Sequence, residues 1–230
     1  MNKQAIILFG QPGAGKGTQA ELLAEKTHFL HIESSKLIEE SFNTADPNKS
    51  IEADGQIYKM SDEKKLWQSG ALCSFPFVAY LIKEKIREVA NQGKGIIFSG
   101  SPRSIYEAGQ ELPLLKEFYG LENIKFFLLN IGAETTIFRN SHRKICGLMR
   151  HSILFNKETE NLTVCPLDGS SLVKRKNLDD VETIKKRLEV FKKDTFPVIE
   201  FAKKQGVNVI EINAEQTVSK IFEDISKHLN

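Results

Sequence analysis

The chain has 230 residues, 40% of them hydrophobic and 27% charged, with a formal net charge of +2. This length suits one large α/β domain with an insertion, the balance is that of a folded globular chain, and so small a net charge provides no field for nucleic acid or an anionic membrane surface. No apolar run approaches the roughly 18 residues of a membrane helix and no leader pattern precedes the first strand, so a cytoplasmic protein with no membrane or nucleic-acid partner is expected.

In chain order, Ala5 to Phe9 is a short, wholly apolar run that reads as a buried parallel strand. Gly10-Gln11-Pro12-Gly13-Ala14-Gly15-Lys16-Gly17-Thr18 follows, a phosphate-binding loop of the G-x-x-x-x-G-K type. Gln19 to Lys26 then reads as a helix with Ala20, Leu22, Leu23 and Ala24 available for packing. Glycines let backbone N–H groups turn inward around an anion, and the helix N-terminus adds partial positive charge. Gly13, Ala14, Gly15, Lys16, Gly17 and Thr18 are therefore candidate residues for a nucleoside triphosphate. Lys16 is placed to reach the β- and γ-phosphates, and a hydroxyl can help to hold Mg²⁺.

Further strand-like runs are Phe29 to Ile32, Ile96 to Phe98, Ile124 to Ile131 and Val207 to Ile212. Five short strands separated by helices imply an α/β fold, a P-loop NTPase-type parallel five-stranded sheet with helices on both faces. Such sheets bind ligands at the carboxyl ends of their strands. Two stretches interrupt the alternation. Residues 33–75 are too long for one crossover and contain helical pieces at Ser34 to Phe42 and Ser61 to Gln68. Residues 139–179 are rich in turn formers and basic groups; from 139 to 176 there are eight Lys or Arg and three Asp or Glu. A solvated surface would show such a bias, but beside a phosphate loop it suits phosphate clamping, because the guanidinium fork matches phosphate oxygens. The three cysteines, Cys73, Cys146 and Cys165, cannot make an all-disulfide framework and read as free thiols or metal ligands.

Taken together, these motifs resemble those of the adenylate kinases, nucleoside-monophosphate kinases with a lid, over nearly the whole chain. Gly10 to Thr18 with Gln19 resembles the family's glycine loop. Ser34 to Ile38 sits where its monophosphate-binding insert begins, and Gly100-Ser101-Pro102-Arg103-Ser104 resembles its G-F-P-R-T segment. Arg139 to Cys146 resembles the lid entry R-x-x-x-R-R-x-C, and Asp179-Asp180 with Lys186-Arg187-Leu188 resembles the lid exit and the helix beyond. The resemblance implies a core of residues 1–32, 76–138 and 180–230, a monophosphate-binding insert at 33–75 and a lid at 139–179. It implies transfer of the γ-phosphoryl of Mg-ATP to AMP, giving two ADP, by a monomer. Lys16, Arg103, Arg143, Arg175 and Arg187 would be catalytic, and Arg139 and Arg143 would reach the donor phosphates. Ser34, Lys36, Ser74, Gly100, Arg103 and Glu107 would line the AMP site.

The pattern is broken at four places. Ser99 stands where the family has the Asp that orders water on Mg²⁺, and Glu39 where it has an acceptor-clamping Arg, with Lys36 one turn earlier as a substitute cation. Glu107 replaces the Gln that reads adenine; a carboxylate accepts hydrogen bonds only, which suits an exocyclic amino group and leaves AMP or CMP as acceptor. Two extra residues before Asp179-Asp180 allow Lys176 to take the place of Arg175. A nucleotide-binding regulatory protein without transfer activity is the rival reading from another class. Some family members have a zinc-binding lid, and by that resemblance Cys146, His151, Cys165 and Asp168 would hold a structural Zn²⁺. The alternative is a metal-free lid held by hydrogen bonds and an apolar cluster including Ile153, Leu154 and Phe155.

Overall fold

A computed structural model describes residues 3–44, 46, 49–69, 71–174 and 179–229. The expected parallel sheet is present. Its strands are β1 (Ala5–Gly10), β2 (Leu30–Glu33), β5 (Ile96–Ser99), β6 (Ile124–Asn130) and β10 (Asn208–Asn213), in the order β10-β6-β1-β5-β2. All four pairings are parallel. β1 lies at the centre and is buried at every residue, which is why its sequence carries no polar alternation.

Alternate residues of β1 serve two cores. Ile7 and Phe9 face α4 (Phe75–Asn91), α5 (Ile105–Tyr119) and α8 (Phe196–Lys204), where Phe77, Ile82, Leu112 and Val198 close the layer. Ile6 and Leu8 face α1 (Lys16–Thr27) and α9 (Val218–Ser226), through Leu23, Ile221 and Ile225. Each fully buried aliphatic side chain of this kind contributes about 1.5–3 kcal/mol. Among the described residues, no helix is long and apolar enough to cross a membrane.

Two segments stand outside the sheet. Between β2 and α4 come α2 (Ser34–Thr44), an antiparallel hairpin of β3 (Ser50–Ala53) and β4 (Gln56–Lys59), and α3 (Met60–Gln68). Phe42 stacks on Phe77 with ring centroids 5.9 Å apart, fixing α2 against α4. Tyr106 of α5 donates to Asp54 at the hairpin tip. Between α6 (Ala133–Ser141) and α7 (Val181–Val190) lies a small antiparallel sheet of β7 (Lys144–Cys146), β8 (Ser152–Ile153) and β9 (Leu172–Val173), with β7 in the middle. Phe155 packs on Phe138 and on His142, at 5.6 and 4.5 Å, tying this sheet to α6. Leu154 is exposed, so the apolar contact is aromatic rather than aliphatic.

Candidate phosphoryl-transfer site and lid cluster

The phosphate loop leaves the end of β1 and enters α1 at Lys16. Its shape depends on glycine. Gly10 has φ +150° and Gly13 φ +88°, and a Cβ would come within 2.6 Å of the Leu129 carbonyl at the first and of Asn140 Nδ2 at the second. Gly15, at φ +87°, caps α1 without a side chain, so none competes for the first-turn N–H groups. Lys16 Nζ donates to the carbonyls of Gly10 at 2.7 Å and Gln11 at 3.0 Å, which holds the ammonium in the mouth of the loop.

α6 is braced over this loop. Glu215, from the turn after β10, accepts from Gly132 N at 2.7 Å and Thr135 Oγ1 at 2.8 Å, neutralising the helix N-terminus. Thr136 Oγ1 donates to Gln11 Oε1 at 3.0 Å. Arg139, one turn on, aims Nη1 at the Gly13 carbonyl, 3.4 Å away. Lys16 and Arg139 thus meet on one loop. Arg143 follows α6 and Arg187 lies on α7; both are half-buried and engaged. Arg175 and its substitute Lys176 lie outside the described residues.

The second cluster forms beside the first, because β5 is hydrogen-bonded to β1, with Leu8 opposite Ser99. Gly100, at φ +101°, turns the chain so that Arg103 folds back: Nε donates to the Gly100 carbonyl at 2.6 Å and Nη2 to Ser34 Oγ at 3.1 Å. Ser34 Oγ in turn donates to the Gly100 carbonyl at 2.9 Å. Glu107 accepts from Arg103 N at 2.7 Å. Ser34, Arg103 and Glu107 line an apolar pocket with Ile38, Trp67 and Val78. Ser74, between the pocket-lining Cys73 and Phe75, is engaged by Glu63, to which its N and Oγ donate at 2.9 and 2.6 Å. Lys36 pairs with Glu33 at 3.2 Å, while Glu39 is exposed. Cys73, in the same pocket, has its thiol pushed up to about 12 by burial and by the Glu63 charge, so it remains a thiol.

Glu33 escaped notice in the sequence. It ends β2 directly opposite Ser99, so the two side chains share a face of the sheet. Burial pushes its carboxyl up, but hydrogen bonding from Ser35 and the charge of Lys36 outweigh this and hold it below its ordinary value. His31, two residues earlier, bonds Ser99 Oγ at 2.7 Å, and burial lowers its pKa to about 4, leaving a neutral ring. The pairing of residues 33 and 99 was the available signal, and it needs the strand order to be seen.

Around the β7–β9 sheet the ligand atoms of Cys146, His151 and Cys165 all lie within 4.8 Å of one another. Asp168 Oδ2 is 3.0 Å from Cys146 Sγ. Backbone N–H groups point at both sulfurs: Met149 N at Cys146, 3.1 Å away, and those of Leu167 and Asp168 at Cys165. Two sulfurs in N–H-lined turns with an imidazole and a carboxylate form a donor set that fits tetrahedral Zn²⁺.

Comparison with known proteins gives one family. The adenylate kinase family model matches residues 8–207. Among curated relatives, the adenylate kinase of Clostridium tetani is 31% identical, covering 97% of both chains. That of Chloroherpeton thalassium is 30% identical over 97% of each. That of Caldanaerobacter subterraneus is 28% identical, covering 97% of this chain and 95% of its own. The phosphate loop, the Arg103 turn and the matched relatives agree, and the chain belongs to the adenylate kinase family.

Proposed function

We infer that the protein is an adenylate kinase, transferring the γ-phosphoryl group of ATP to AMP and yielding two ADP. The observation that carries this reading is that the phosphate loop and the Ser34–Gly100–Arg103 cradle leave the carboxyl ends of adjacent strands. Two phosphate sites side by side suit two nucleotides whose reacting phosphates must meet in line. Phosphoryl transfer needs positioning and cations more than a general base, because charge spreads over the equatorial oxygens. Lys16, Arg139 and Arg143 would hold the donor phosphates, Arg103 the AMP phosphate, and Arg187 with Arg175 the charge between them. Residues 33–75 would act as the AMP-binding insert and 139–179 as a lid that closes to exclude water. The protein would work as a monomer in the cytoplasm. ADP formation from Mg-ATP with AMP, CMP, UMP and GMP supplied separately tests the reading. Turnover with AMP is expected. Turnover with CMP alone would reassign the acceptor, and ATP binding without any turnover would make this a regulatory binder.

When bound, Mg²⁺ would screen the β- and γ-oxygens of ATP. Thr18 and Glu33 would offer it oxygen ligands, Glu33 standing in for the carboxylate that Ser99 lacks. Glu33→Gln should raise the Mg²⁺ concentration for half-maximal ATP binding by about tenfold, the size expected for losing one charge-assisted contact, measured by calorimetric titration at fixed ATP. An unchanged Mg²⁺ dependence would remove Glu33 from this role.

Cys146, His151, Cys165 and Asp168 would hold a structural Zn²⁺, with every position filled by protein. Chelation, or Cys165→Ser, should then lower the melting temperature by about 5–10 °C, the shift that about 2–3 kcal/mol produces at this chain length. Elemental analysis should find one zinc per chain. A metal-free protein with an unchanged melting temperature would show a lid held by hydrogen bonds alone.

A further inference from the structure

Two carboxyl groups are buried behind the AMP pocket, and the protons available there do not suffice if both are ionised. Glu107 and Glu111 are i and i+4 on α5, and they are 2% and 1% exposed. Both approach Ser101 Oγ, Glu111 Oε1 at 2.7 Å and Glu107 Oε2 at 3.3 Å. A serine hydroxyl has one hydrogen to donate. For both contacts to be hydrogen bonds, one carboxyl must bring a proton of its own. Glu111 Oε2 is buried and has no partner. A neutral carbonyl oxygen tolerates that at modest cost, whereas a charged carboxylate oxygen does not. Glu107 Oε2, by contrast, also accepts from Arg103 N at 2.7 Å, as a carboxylate would.

We propose that Glu111 is a positioning residue for the acceptor base: as a neutral acid it donates to Ser101, Ser101 donates to Glu107, and this chain sets the Glu107 carboxylate to accept from the exocyclic amino group of AMP. The proposal rests on the AMP reading of the pocket. The Glu111 Oε1–H proton goes to Ser101 Oγ, and the Ser101 proton to Glu107 Oε2. Together with Arg103 N, this engages Oε2 and leaves Oε1 for the ligand. Burial raises both carboxyls, and the Glu107 charge raises Glu111 further and well above its ordinary value, whereas the Arg103 N–H and charge offset part of the rise at Glu107. Two charged groups on adjoining elements are committed elsewhere: Lys83 of α4 donates to Gln110, and Glu63 of α3 accepts from Ser74. Glu107 is thereby kept the better acceptor of the two, and Glu111 the donor.

The test compares Glu111→Gln, whose amide N–H can donate to Ser101 as the acid does, with Glu111→Leu, which cannot. Calorimetry should give AMP affinity within about twofold of the unsubstituted protein for the first variant. For the second the loss should be about tenfold or more, the effect of freeing one charged hydrogen-bonding group. ATP affinity should be unchanged in both. Glu111→Leu should melt no lower than the parent, since it removes a buried carboxyl, so the loss would not come from unfolding. The infrared difference between the parent and Glu111→Gln at neutral pH should contain the C=O stretch of a protonated carboxylic acid. A carboxylate band in its place, or normal AMP binding by Glu111→Leu, overturns the proposal. If the parent itself binds ATP but no AMP, the acceptor reading fails and the proposal with it, whichever infrared band is found.

Discussion

Replacing Lys16 by Met should lower kcat by about 10³-fold while leaving the melting temperature nearly unchanged. Methionine keeps the length and apolar stem of lysine, so the start of α1 retains its packing; what is lost is a charge at the point where the phosphate loop opens. The Lys16 ammonium is held here by the carbonyls of Gly10 and Gln11. These are neutral acceptors, and a phosphate oxygen is a stronger one, so on ATP binding the ammonium should turn to the nucleotide. The charge it meets there grows in the transition state, which makes its contribution larger to kcat than to binding. Removing one pre-set electrostatic donor typically costs 10²–10³-fold, and phosphoryl transfer sits at the upper end because little else does the chemistry. ATP affinity, measured by calorimetry, should fall less than kcat does. Near-normal turnover would sink the assignment of Lys16 as the transferring-phosphate ligand.

Where a local rule determined the outcome, the sequence was readable. The run Ala5 to Phe9 could only be a strand buried on both faces, and the loop after it had to lie at the carboxyl edge. The β3–β4 hairpin went unnoticed because its strands are four residues each and mostly exposed, too short for the alternation in Ser50 to Ala53 to stand out. Its turn did carry a signal: Asp54-Gly55 supplies φ values of +51° and +70°, the pair a tight hairpin requires. The strands β7, β8 and β9, two or three residues long, are below the length at which periodicity exists at all. The Cys146–His151–Cys165 cluster was nevertheless suggested, through the resemblance to family members with a zinc-binding lid. Glu111 could not be identified as functional. An acid in a helix is ordinarily solvated, and only the packing of α5 against α4 and the sheet turns residues 107 and 111 inward. Glu33 required the pairing of β2 with β5, a contact between residues 66 positions apart in sequence.

Arg103→Lys should reduce kcat/KM for AMP by about 10²–10³-fold and leave ATP affinity untouched, even though the charge is conserved. Arg103 is held before AMP arrives, through Nε to the Gly100 carbonyl and Nη2 to Ser34 Oγ. A guanidinium has five N–H donors in a fixed fork; those two contacts leave three for a phosphate, in a plane already set. Lysine has three donors on one flexible nitrogen, and satisfying Gly100 and Ser34 would leave it a single N–H for the acceptor, with no bidentate geometry. The loss should therefore appear as a misplaced acceptor phosphate, in kcat as well as KM, since an in-line transfer tolerates little displacement. Gly100→Ala should act in the same direction by another route: its φ of +101° strains any Cβ, and that Cβ would sit 3.0 Å from Ser34 Oγ and 3.2 Å from Arg103 Nη2, the two atoms that make the cradle. Steady-state kinetics with AMP varied at saturating Mg-ATP separates these outcomes. If lysine at 103 supports full activity, the site needs only a positive charge there, and the preorganised fork has no part in catalysis.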